Sequence, residues 1–249
     1  MAYDQAIGPD TRAGLGIGYS QTAIDGMTYD TNTDFDTYQA TAYIGHEDGP
    51  LFIHGSASVG WNEYKGRRHI VFTGINRTAN SEYSGQDYTI FTETGYHFLM
   101  DQFTLTPIAS LQYGRVNISD YTEQGAGDIN LHVDAQGYDF LESGLGAKLE
   151  RSFKYHDMNF VPEIHAKWLH EIINPSLSQT AAFDVPGSSA FTTSGLGTDD
   201  DTFNVGAGIT LLSCACNAKT WSVEVGYDYD WRNDGYSAHQ GTARFTHSF

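Results

Sequence analysis

The residues best equipped for chemistry are ionisable and come two apart. Glu163, His165 and Lys167 are one such run and Asp228 with Asp230 another; at larger even spacings stand Glu224 before Asp228, Glu142 before Lys148 and Glu93 before His97, with His54 on a separate stretch. Carboxylates beside imidazoles can do general acid–base work. Ten His and 31 Asp and Glu make accidental pairs of this kind easy, however. No G-x-S-x-G elbow, H-E-x-x-H helix or P-loop occurs. Gly55-Ser-Ala-Ser58 reads as a run of small strand residues rather than a nucleophile site. Asp199-Asp-Asp201 could suggest a cation site but reads as a solvated corner. Cys214 and Cys216 are the only cysteines, one residue apart, and imply neither a disulfide framework nor a metal site. The chain is therefore expected to be no enzyme and to carry no cofactor.

A spacing of two is the signature of a β-strand, whose alternate side chains point to opposite faces. Trp221–Trp231 shows it most clearly. Trp221, Val223, Val225, Tyr227, Tyr229 and Trp231 form a wholly apolar or aromatic face, opposite Ser222, Glu224, Gly226, Asp228 and Asp230. At about 3.4 Å per residue and a tilt near 45°, eleven residues cover roughly 24 Å along a membrane normal. That is about the height of the apolar band of an outer-membrane barrel, whose rims carry aromatic girdles. The alternative for this strand alone is a half-buried strand in a soluble sandwich.

The rest of the chain decides between them. Alternation recurs at 12–23, 38–44, 51–61, 88–98, 103–113, 141–149, 160–168, 203–211 and in the last residues, with a stub at 2–7. Pro107, which cannot donate to a ladder, predicts a bulge or local break. Connections near Gly8-Pro9, Asp48-Gly49, Met100-Asp101, Lys154-Tyr155 and Asn217-Ala218 are short. Those at 25–36, 65–86, 119–130 and 174–201 are expected to be long and irregular, and the one near Asp234 is short again. A sandwich has no reason to sort its loops by length, whereas a barrel with short periplasmic turns and longer external loops does. The expected fold is all-β, an antiparallel up-and-down transmembrane β-barrel of ten complete strands plus the stub. Trp221, Val223, Val225, Tyr227, Tyr229 and Trp231 would face the membrane. Glu142, Lys148, Glu163, His165, Lys167, Glu224 and Asp228 would face the lumen, where water or partners must solvate them.

Composition agrees. The formal charge of −18 argues against nucleic-acid binding, which needs a basic footprint. No apolar run approaches 18 residues, so no transmembrane helix is expected. A mean hydropathy of −0.39 suits a barrel with a polar lumen and polar loops. Met1-Ala-Tyr-Asp-Gln lacks the charged start and apolar segment of a signal peptide and resembles the end of a strand, so the chain is expected to be part of something longer.

Several stretches carry a family resemblance. TRAGLGIGYS (11–20), the hairpin formed by 38–44 and 51–61, FDVPGSSAF (183–191) followed by VGAG (205–208), and the aromatic terminus GTARFTHSF (241–249) together resemble the C-terminal translocator barrel of the autotransporters, the type V secretion proteins of Gram-negative bacteria. The resemblance spans nearly the whole chain. It implies a twelve-strand barrel in the bacterial outer membrane, in contact with lipid. Against that pattern, residues 1–249 would be one barrel domain lacking the first strand, the pore-threading helical linker and the N-terminal passenger. It further implies that the barrel-assembly machinery reads the last strand, with Phe245, His247 and Phe249 as the assembly signal. His247 departs from the aromatic more usual at that position. The implied job is non-enzymatic export or tethering of the passenger; a porin-like channel is the alternative.

Overall fold

In the computed structural model, residues 1–249 are described except 27–29, 157, 196, 214–219 and 248–249. The strands are β1 (Ala2–Ala6), β2 (Thr11–Asp25), β3 (Thr31–Asp48), β4 (Leu51–Phe72), β5 (Ile75–Tyr96), β6 (Phe98–Met100), β7 (Phe103–Ile118), β8 (Tyr121–Thr122), β9 (Leu131–Val133), β10 (Gln136–Glu150), β11 (Phe153–Tyr155), β12 (Met158–Ile173), β13 (Ser178–Phe183), β14 (Phe191–Ser194), β15 (Asp201–Ser213), β16 (Trp221–Trp231) and β17 (Ser237–His247). A single 3-10 turn, Gly127–Ile129, is the only helical element among the described residues.

One antiparallel sheet runs in the order β1-β2-β3-β4-β5-β7-β10-β12-β15-β16-β17, with β6 and β11 as short extensions of its hairpins. Each strand pairs with its sequence neighbour, as an up-and-down meander requires. The main path has eleven strands, the stub and ten others. Among the described residues no ladder joins β1 to β17, so the sheet is curled but open.

The register is staggered. A perpendicular line from Ile17 in mid-β2 passes through Ala40, Val59, Tyr88 and Arg115 to Asp139, close to the outer end of β10. Strands offset in this way lean against the barrel axis, which closure of a sheet demands. Pro107 leaves β7 continuous and in constant register, but the strand beside it breaks at His97, between β5 and β6. The true register shift lies between β10 and β12, next to Leu141 and Glu142.

Two expected loops are instead strand. The segments at 25–36 and 65–86 lie mostly in β2–β3 and in the β4–β5 hairpin, whose two strands have 22 residues each. Alternation does continue there, but with Glu63, Lys65 and Arg67 on the face that carries Leu51 to Trp61 below, so no apolar signal marks it. The turn needs only Thr73 and Gly74, the glycine at φ +82°. The other two long segments also hold structure. β8 and β9 from 119–135, and β13 and β14 from 174–200, form a second sheet in the order β14-β13-β9-β8.

The concave face is packed partly by rings over glycines. Phe140 lies directly opposite Gly114, and Phe52 opposite Gly95. A β-carbon on Gly114 would sit 2.1 Å from the Phe140 ring, and one on Gly95 2.5 Å from Phe52. The absent side chain is what lets each ring lie flat across the ladder, a known way of fixing register and curvature. Gly114→Val should therefore cost about 1–3 kcal/mol by overpacking, read as a lower denaturant midpoint in detergent. An unchanged midpoint would mean that the ring moves aside freely.

Candidate functional site: the lumen wall and its outer collar

Side-chain parity separates two faces along every long strand. On one face lie Leu15, Ile17 and Tyr19 of β2, with Leu15 and Ile17 69% and 70% exposed. Across the ladder, Val205 meets Tyr229, Ala207 meets Tyr227 and Ile209 meets Val225 on that same outward face. No second layer covers it among the described residues. Trp221, Val223, Val225, Tyr227, Tyr229 and Trp231 all take this side, and Trp221, Val225 and Tyr227 rank among the exposed large apolar residues.

Both ends of the outward face carry aromatic rows. At the long-loop end the rings meet polar partners one step further out. The Tyr19 hydroxyl donates to Asp36 (2.7 Å), Tyr113 donates to Asp139 (2.7 Å), and the Trp168 indole donates to Asp201 (2.8 Å). Arg115 also donates to Asp139, and His170 contacts Asp201. Rings whose apolar bodies point one way and whose polar tips point the other suit a membrane–water boundary. At the short-turn end, Tyr96 packs on Phe98 (4.6 Å between ring centres), and the Arg151 guanidinium lies over Phe103 and Phe153.

The opposite face is polar, and an ion pair proves it concave. Lys167 of β12 and Glu93 of β5 approach to 3.2 Å although β7 and β10 lie between them. Three strand spacings in a flat sheet are about 14 Å, so the wall must curl toward these side chains. The strands beneath supply room with small residues. Glu93 is level with Ser110, Ser110 with Gly144, and Gly146 with Lys167. A β-carbon on Gly146 would lie 2.7 Å from Lys167 Cγ.

Around this strut a polar network crosses the wall. Lys148 approaches Glu150 (2.9 Å) and Glu163 (3.6 Å), and His165 contacts Glu163 (3.6 Å) and Asp228 (2.8 Å). Asn204 donates to Asp228 (3.2 Å) and Asp230 (2.7 Å). Glu224 pairs with Arg244 (3.3 Å). The structure thus brings together Glu163, His165, Lys167, Lys148 and Asp228 with Glu93. It leaves Glu142 apart, level with Glu171 on β12. Glu47, Phe52, His54, Glu93, His97, Ile108, Lys148, Glu163, His165 and Lys167 enclose a cavity of about 330 Å³. Among the described residues no group of His, Cys, Asp and Glu is arranged to hold a metal ion. Of the terminal residues, Phe245 lies outward and 68% exposed, and His247 is level with Trp221. Phe249, Cys214 and Cys216 lie outside the described residues.

Beyond the outer girdle the wall continues as a collar, which sequence reasoning missed. Phe35, Tyr64, Tyr83 and Tyr121 stack in a row, with centres 5.0, 4.8 and 4.2 Å apart. Arg68 makes a two-pronged pair with Glu123 (2.9 and 2.6 Å). Most of the fully buried apolar residues lie here, namely Ala79, Ala126, Val133 and Ala181.

The family model described as an autotransporter beta-domain matches residues 1–228. The chain belongs to the autotransporter β-domain family. It is 26% identical to outer membrane protein A of Rickettsia rickettsii over 263 aligned positions, covering all of this chain and 11% of that protein. It is 27% identical to outer membrane protein B of Rickettsia typhi, covering 98% and 15%. An extracellular serine protease of Serratia marcescens is 23% identical, covering 69% and 16%. The chain thus spans less than a fifth of the length of these relatives. Among solved structures, the translocator domain of the autotransporter NalP from Neisseria meningitidis superposes with a TM-score of 0.72 at 16% identity, over 98% of this chain and 77% of that one. The β domain of the Bordetella autotransporter BrkA gives 0.64 at 15%, over 100% and 87%. This autotransporter β-domain is a translocator barrel of the bacterial outer membrane, and the porin reading is not favoured.

Two measurements follow for the autotransporter wall and collar. A double-mutant cycle with Glu93→Gln and Lys167→Gln should return a coupling of about 1 kcal/mol or more, above the ~0.2–1 kcal/mol of exposed pairs. A coupling near zero would show two separately solvated charges. In the collar, burial raises the Tyr121 phenol above its usual value, against a lowering by its hydrogen bond from Gln179. A raised folded value gives stability that is complete below the unfolded pKa of about 10 and lost as pH rises through the folded one. Proteolysis of 119–135 should therefore speed up above about pH 10 in the parent chain and much less in Tyr121→Phe.

Proposed function

We propose that this chain anchors or helps export an N-terminal passenger, whose linker occupies the concave side. The observation that carries the reading is the strut between Glu93 and Lys167, with its network of charges facing the concave side of the curled sheet. Charges so placed need water or a partner. A linker passing the cavity between His54, Glu93, Lys148 and Lys167 would meet both signs. The rows ending at Trp221, Trp231, Tyr19 and Trp168 face outer-membrane lipid. Phe245, His247 and Phe249 serve as the signal read by the barrel-assembly machinery. A further strand, as the twelve-strand pattern has, would fill the gap between β1 and β17. The barrel itself has no enzymatic role in this reading, and any catalytic or adhesive activity belongs to the passenger. Nucleic acid is no partner, given the charge of −18.

The test joins the chain to a reporter passenger with its linker and replaces Glu163 and Lys167 by alanine, singly and together. Surface display of the reporter should fall several-fold while barrel assembly, read as heat-modifiable mobility, is kept. Unchanged display and unchanged single-channel conductance would leave the lining a hydrated wall with no role in export.

A further inference from the structure

Residues 119–135 connect β7 to β10 at the outer end, yet they do not loop freely into solvent. Gln124 and Asn80 exchange both backbone hydrogen bonds (2.8 Å each), so the segment first runs beside the free edge of β5. It then turns onto the concave side of the β4–β5 hairpin. Arg68 and Arg77, which share the parity of Tyr64, Tyr83 and the lumen residues below them, supply the anchors. Arg68 grips the Glu123 carboxylate and donates to the Ile129 carbonyl (3.2 Å). Arg77 donates to the Ala126 carbonyl (2.6 Å). Glu123 also accepts from the Leu131 amide (2.9 Å), and Asn130 accepts from the Ala126 amide (2.8 Å), so the strap is braced internally. The fit is close. Gly125 stands at φ +99° where a β-carbon would lie 2.8 Å from the Thr78 carbonyl, and Gly127 stands against Arg77. Glu123 is 7% exposed and Ala126 0%.

What distinguishes this strap from ordinary loop packing is its chemistry. The parts of the wall it touches are held by charge and hydrogen bonds, with a stacked Tyr121 at one end, and the apolar side chains buried along 123–131 and the β5 edge beside it, Ala126 and Ala79, are the smallest that can be. It also does not stand alone. β9 at its far end pairs with β13, and β13 with β14, so the loop that follows β12 is carried on it. A segment tied to one wall by a few polar clamps and bonded to the next loop can leave as a unit when the clamps open.

We propose that residues 123–131 form a strap that narrows the outer mouth from inside, latched by Arg68 and Glu123, and that its release sets access to the lumen from outside. The proposal holds whatever passes through the barrel. A paired, buried bidentate carboxylate is among the stronger polar contacts, and removing one partner strands the other.

The test uses the full chain assembled in outer membranes, with Cys214→Ala and Cys216→Ala to remove the native thiols. Ser110→Cys, on the concave face level with Glu93, then reports lumen access through its rate of modification by an impermeant maleimide added outside. Glu123→Ala and Arg68→Ala break the latch from opposite sides, and neither residue lies near the reporter. Both should accelerate labelling about tenfold, with Glu123→Asp in between. Assembly of each variant is checked by its heat-modifiable mobility, so a misassembled variant is set aside in favour of the other. Equal labelling rates in the parent chain and in an assembled latch variant would overturn the proposal. So would acceleration by Arg68→Ala with none by Glu123→Ala, because the latch requires both.

Discussion

The whole wall hangs on one constraint: a single layer of strands must satisfy every backbone polar group within its own plane. Below the collar nothing packs behind it among the described residues, so no second sheet or helix shares the burden there. Ladder hydrogen bonds join each long strand to its neighbours in unbroken register over most of its length. With the backbone satisfied, each side chain is free to answer to one environment only. The outward row became aliphatic and aromatic, and the inward row small or charged. In water such a surface would be a liability, whereas in hydrocarbon it is the requirement.

The concave side shows how charges survive there. Each basic group in the middle of the wall, Lys148 and Lys167, stands against carboxylates, and His165 is held between two. Glycines and serines beneath them give these long side chains space to reach across strands. Rings laid over Gly95 and Gly114 do the complementary job, filling the wall where no charge is needed. Polar reach and ring packing therefore alternate around the same curve. Compact burial, by contrast, is concentrated above the girdle, where the β4–β5 hairpin and the second sheet meet in water. That region behaves like an ordinary globular patch attached to a membrane wall.

Much of the wall was legible in the chain itself. Period-two alternation between Trp221 and Trp231 is a local property, and the register of β15, β16 and β17 simply repeats it across neighbours. The eleven-strand meander followed from counting such runs and sorting the turns. The collar was not legible, for a physical reason. Glu63, Lys65 and Arg67 continue the outward row of β4 into water, where polarity no longer alternates, and a strand with two wet faces looks like a loop. The lumen set was visible residue by residue, and the adjacency of β10 and β12 made a pair such as Lys148 with Glu163 legible, but the longer reach was not. Lys167 meets Glu93, 74 residues away, only because the sheet curls, and no local spacing encodes curvature. Arg68 and Glu123 join through a fold of the chain in the same way.

The climb of the perpendicular from Ile17 to Asp139 has a mechanical consequence. Hydrogen bonds, being in register, make the wall a staircase: every step around the circumference is also a step upward. Bore and slant are then two readings of one quantity. A strand added at the open edge between β1 and β17 would widen the ring, but it would have to join at the height the staircase has reached. The seam is therefore selective by elevation, accepting a newcomer in one alignment and refusing it when slid by a residue pair.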